Sequence, residues 1–237
     1  MGRKKGIAWR WRIAAFLLLV AIIGGVAVWW HLVNWVPPRA DWPRQGVLVG
    51  EKDVPPGEDA VNFIAFKAIG ADFAYLEASD GAAQRDPAFG RNLDEAKLAL
   101  LPVGAVHRYD PCIAADNQAG NFVTVVPRDA NLLPPAIELD RTADDCDDSI
   151  RDAEVESELT TFLNQVEGHA GKPSLLMITE QFEERYHLAS RIERNLWLAR
   201  DRFQPGYAGR PWTLWTANSA LRSEASDIPV RWVVVQP

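Results

Sequence analysis

The stretch Leu133-Pro134-Pro135-Ala136-Ile137-Glu138-Leu139-Asp140 sets two carboxylates, at i and i+2, on the end of a short apolar run. In a β-strand, residues two apart project from the same face. Glu138 and Asp140 are therefore expected side by side at a strand's C-terminal end. Such a pair suits acid-assisted cleavage of a glycosidic bond, where one carboxyl protonates the leaving oxygen and the other supports the sugar cation or activates a nucleophile. An E-x-D triplet alone is common in strands, so its surroundings decide its weight.

Around it, strand-like and helix-like segments alternate with short connections. Strands are expected at 46–49, 72–76, 103–107, 136–139, 174–178, 196–199, 212–215 and 230–235. Helices are expected at 59–69, 87–100, 114–125, 153–167 and 180–188, the fourth burying Val155, Leu159, Phe162, Leu163 and Val166. The pattern predicts α/β architecture with a mostly parallel sheet. About eight strands in about 190 residues fit an irregular, TIM-like β/α barrel short on helices. Its site would lie at the strands' C-terminal ends, where Asp80, His107, Glu138 and Asp140 would gather.

The first residues differ from the rest. Arg3, Lys4, Lys5, Arg10 and Arg12 form a basic tail (residues 1–12), followed by an uncharged run from Ile13 to Trp30. Residues 13–33 match a membrane span of roughly 20 residues, and the preceding basic residues place the N-terminus in the cytoplasm. A cleaved signal peptide is the competing reading. No convincing small-x-small site precedes Trp29-Trp30-His31, so a retained anchor is favoured. Residues 34–45 read as a short, stiff linker, and residues 46–237 as one exported domain, periplasmic in a Gram-negative-like cell.

Setting aside five basic residues of the tail from the 25 leaves 20 Lys and Arg against 32 Asp and Glu. That acidic balance argues against a nucleic-acid partner. Two cysteines and four scattered histidines offer too few ligands for a zinc site, and neither metal nor cofactor is expected. The run Asp144, Asp145, Asp147, Asp148 lacks the glycine and the spacing of a calcium loop.

Several segments, in order, resemble glycoside hydrolase family 25, the muramidase-type lysozymes. Residues 72–81 (DFAYLEASDG) resemble the family's F-A-x-x-K-A-T-E-G, and Asp86, Phe89, Asn92, Ala96 and Lys97 resemble its D-x-x-F-x-x-N-x-x-x-A-K helix. Residues 103–107 (VGAVH) resemble V-G-A-Y-H. Gln118, Ala119, Asn121 and Phe122 resemble Q-A-x-N-F, and residues 212–215 (WTLW) resemble W-x-x-W-Q. The resemblance implies a lysozyme-like barrel bound to peptidoglycan glycan strands. If it is active, Asp140 is the general acid and Glu138 the second carboxylate, cutting between N-acetylmuramic acid and N-acetylglucosamine. It also implies sugar contacts from Asp80, His107, Trp212 and Trp215, with turn capping the alternative for Asp80 and core packing an equal one for His107 and the two tryptophans, and a disulfide between Cys112 and Cys146. Protein partners are not indicated.

Departures cluster at the polar positions. The family's D-x-E is written Glu138-Leu139-Asp140, and its first-strand Asp is Leu48. Its Lys in K-A-T-E-G is Glu77, and the last strand's Asp is Arg231, so pairing of the two as a compensated swap is one hypothesis beside two unrelated changes. Val106, Thr216 and Val233 replace further polar groups. The alternative implied is an inactive family member that binds glycan or a partner.

Overall fold

The computed structural model describes residues 3–147 and 150–237; Asp148 of the acidic run lies outside them. Two compact units are present, residues 1–35 and 36–237. The first holds helix α1 (Arg3–Val33), whose Trp11–Val33 segment is apolar and long enough to cross a membrane.

The second unit runs in the order β1 (Gln45–Val49), α2 (Phe63–Ala68), β2 (Phe73–Asp80), β3 (Gln84–Arg85), α3 (Phe89–Leu98), β4 (Val103–Arg108), α4 (Ala115–Val125), β5 (Ala136–Leu139) and α5 (Asp152–Ala170). It continues with β6 (Leu175–Ile178), α6 (Glu180–Tyr186), β7 (Asn195–Ala199), β8 (Leu214–Ser223) and β9 (Ser226–Val235). Strands β1, β2, β4, β5, β6, β7 and β8 run parallel. β9 lies antiparallel between β8 and β1, and β1–β2 pairing closes an eight-stranded barrel. β3 is a short flap on β2. The expected TIM-like barrel is thus present.

Local chemistry explains the elements. Asn62 caps α2 by accepting the Ala65 N–H at 3.0 Å, and Thr179 caps α6. α5 ends on Gly171 at φ 68°, the left-handed conformation glycine adopts without strain. All five residues expected on its inner face are buried. Inside the barrel, Leu48, Tyr75, Val106, Ala136, Met177, Trp197, Leu214 and Val233 form the core. Gly104 is needed there, because a Cβ would collide with the Tyr75 ring.

Two sequence expectations shift. Residues 36–44, read as linker, pack on the barrel: Trp42 stacks on Trp212 at 5.7 Å, and Gln45 Nε2 donates to the Pro37 and Trp42 carbonyls. β8 begins at Leu214 and extends through Ser223, making with β9 a hairpin of two ten-residue strands. Its outer half is polar and small, and so carries little apolar alternation to read.

Candidate active site

Strand alternation sorts the side chains. On β4, Val106 faces the barrel core and Arg108 the cleft above it, so His107 points outward. On β8, Leu214 is in the core and Thr216 accepts from the inward Trp197 indole at 2.8 Å, so Trp215 points outward. On β5, Glu138 and the following Asp140 both face in, as expected.

These inward groups line a cleft of about 530 Å³ at the C-terminal ends of the strands. Several of its charged groups are ion-paired. Arg108 Nε lies 2.9 Å from both Asp140 oxygens, and its Nη2 donates to the same carboxylate. Arg141 holds Asp80 through both oxygens, at 2.7 and 2.5 Å, and reaches Asp110 at 3.4 Å. Arg231, with its side chain only 14% exposed, pairs with Glu77, and Lys52 reaches the same carboxylate at 3.1 Å. The hypothesised Glu77–Arg231 pair is formed. Gly50 makes room for it, since a Cβ there would strike the Glu77 carboxylate.

Glu138 is held least. Its nearest cation is Arg231 Nη1, 3.6 Å from Oε1 and beyond hydrogen-bonding distance. Burial raises its pKa above the usual carboxylate value, and the neighbouring Asp140 and Glu77 charges add to the rise against the pull of Arg231. Burial pushes Glu77 up as well, but Arg231 and Lys52 outweigh it and leave this group below its ordinary value. The two acids therefore diverge, Glu138 toward the protonated form and Glu77 toward the ionised one.

Three expected sugar-binding residues lie elsewhere. His107 is fully buried between the sheet and α5, with Nδ1 2.8 Å from Ser79 Oγ and its ring 4.8 Å from that of Phe162. Trp212 and Trp215 pack against Trp42 outside the barrel, donating to the Pro205 and Arg200 carbonyls. Asp80 does line the cleft, tied to Arg141. Cys112 and Cys146 form the expected disulfide, joining the loop that carries Asp110 to the one that follows Arg141. Arg108 and Arg141 were missed as site residues. The clue to Arg108 was its place two residues after the inward Val106.

Buried His107 makes a prediction. Burial lowers its pKa from 6.5 to about 4, so between these values the unfolded chain takes up a proton that the folded chain refuses. Stability is therefore lost as pH falls through that window, by roughly 2–3 kcal/mol. Urea unfolding at pH 7 and pH 4.5 measures the loss. His107→Gln should show a smaller loss than the parent chain, and an equal loss would remove His107 as its source.

The family model for glycosyl hydrolases family 25 matches residues 52–222, and the chain belongs to that family. The matched span starts just after β1, the strand that carries Leu48. The fold is similar to that of a family 25 glycosyl hydrolase from Bacillus anthracis, with TM-score 0.76 and 23% identity over 87% of this chain and 94% of that one. It is also similar to the bacterial lysozyme of Streptomyces coelicolor, with TM-score 0.69 and 19% identity over 82% of this chain and 92% of that one. YegX of Escherichia coli K12, itself uncharacterized, is 25% identical over 166 residues, or 68% of this chain. The chain spans 58% of that relative's length.

Proposed function

We propose that this chain holds a peptidoglycan glycan strand in the barrel-mouth cleft and slowly cleaves the bond between N-acetylmuramic acid and N-acetylglucosamine, with Glu138 as proton donor. One observation carries the assignment: at the end of β5, Glu138 is mostly shielded from water, loosely held and raised in pKa by desolvation. Asp140 has both oxygens occupied by Arg108. This exchanges the roles expected from the family's pattern.

In the proposed step Glu138 gives its proton to the bridging oxygen and the C1–O bond breaks. Water, or first the substrate's own acetamido oxygen, then adds at C1, and the proton lost from water returns to Glu138. The step is slow because Leu48 puts hydrocarbon where the resemblance expects an Asp, and because Arg231 lies beside the donor. We read α1 as a single-pass anchor in the inner membrane with its N-terminus cytoplasmic and the barrel periplasmic, a reading supported by the apolar length of α1 and the basic residues before it.

A second reading, glycan binding without cleavage, is favoured by the same Arg231, whose guanidinium occupies the space between Glu77 and Glu138. Full-length protein in detergent, incubated with purified peptidoglycan, separates the two. Co-sedimentation with slow release of reducing ends is expected. Co-sedimentation alone would leave the binding reading, and neither result would end both.

A further inference from the structure

Among the described residues, each cation lining the cleft has an acidic partner except one. Lys52 and Arg231 meet Glu77, and Arg108 meets Asp140. Among the described residues, no acid forms an ion pair with Arg85, the second residue of the β3 flap, although it lines the same cleft. Its carboxylate neighbour in sequence, Asp86, is committed to the backbone N–H groups of Glu51 and Ala88, each at 2.7 Å.

Arg85 is nonetheless not a loose surface arginine. Its Nε donates to Asn121 Oδ1 at 2.9 Å. Asn121 is buried on α4, and its own amide donates to the Gly81 and Gln84 carbonyls at 3.0 and 2.9 Å. One buried asparagine thus fixes both the flap and the inner nitrogen of the guanidinium. The two outer nitrogens remain for a ligand, as a planar fork that matches a carboxylate. A fork already held at Nε loses less freedom on binding than a free side chain would.

Resting on the reading of the cleft as a peptidoglycan site, we propose that Arg85 recognises a carboxylate on the lactyl arm of N-acetylmuramic acid and so sets the cleft's preference for muramyl-containing glycan. The carboxylate has two sources. In peptide-free strands it is the lactyl group itself, and in peptide-bearing strands it belongs to the stem peptide. N-acetylglucosamine oligomers carry neither.

The test is equilibrium binding of the full-length protein in detergent to three probes: peptide-free glycan strands, peptide-bearing strands and chitohexaose. The parent chain should prefer at least one carboxylate-bearing probe to chitohexaose by about tenfold, the scale of one partly exposed charged hydrogen-bond pair. Arg85→Ala should erase the preference while leaving chitohexaose binding unchanged, and Arg85→Lys should keep part of it. The carboxylate-bearing probe that loses more identifies the source. An undiminished preference in Arg85→Ala, or an equal loss on chitohexaose, would overturn the proposal and leave the glycan site standing. Failure of the parent chain to bind any probe would overturn the site itself, and Arg85's role with it.

Discussion

Glu138→Gln is expected to abolish release of reducing ends from peptidoglycan, lowering the rate by about 100-fold to 10,000-fold, the usual contribution of a positioned general acid. Glutamine keeps the size of the side chain and cannot supply the proton. Co-sedimentation with peptidoglycan should survive, because the ion pairs of Asp80, Asp140 and Glu77 are untouched. The pH profile gives an independent readout. Only protonated Glu138 can act, so the parent rate should fall as pH rises through its pKa, which burial lifts above the ordinary carboxylate value. Asp140→Asn tests the assignment from the other side. If that variant lost all cleavage while Glu138→Gln retained it, the roles would revert to those implied by the family's motif.

Removing the Arg231 guanidinium should lower stability substantially. Arg231→Met leaves Glu77 and Glu138 facing one cleft, with Lys52 still paired to Glu77 and Arg108 committed to Asp140. Breaking a buried pair costs about 3–5 kcal/mol, because the surviving charge stays desolvated. The lower end applies here, since the Glu77 side chain is 30% exposed and Lys52 lies 3.1 Å away. Urea unfolding measures the loss. Adding Glu77→Gln to the Met variant should recover part of it, because the uncompensated charge is then gone. Strict additivity of the two changes would mean that the pair is not coupled.

The barrel was legible in the order of its motifs and in the apolar faces of its helices, α5 above all. The inward pair on β5 was legible too, because alternation is a local rule that needs no partner. Other placements failed where a sequence match was given more weight than that rule. His107 and Trp215 each flank an inward residue and therefore point outward, into helix and aromatic packing. The arginines that clamp Asp140 and Asp80 were not legible, unlike Arg231, whose reversed charge opposite Glu77 raised their pairing. Arg108 reaches Asp140 across 32 residues of chain and Arg141 reaches Asp80 across 61, and only barrel closure brings them together. The docking of residues 36–44 was hidden for the same reason: Trp42 finds its partners at Trp212 and Trp215, far along the sequence.

The position of β9 has a consequence for biosynthesis. This strand closes the barrel against β1, and Trp232 donates to Gln45 across 187 residues. Contacts so distant in sequence form late, because the intervening chain must first be gathered in. Arg231 arrives on this same strand. A nascent chain emerging from synthesis or translocation therefore carries Glu77 and Glu138 without their shared cation until the barrel's final strand is made. Completion of the charge network and closure of the barrel are one event, so a chain arrested short of β9 would have no assembled cleft.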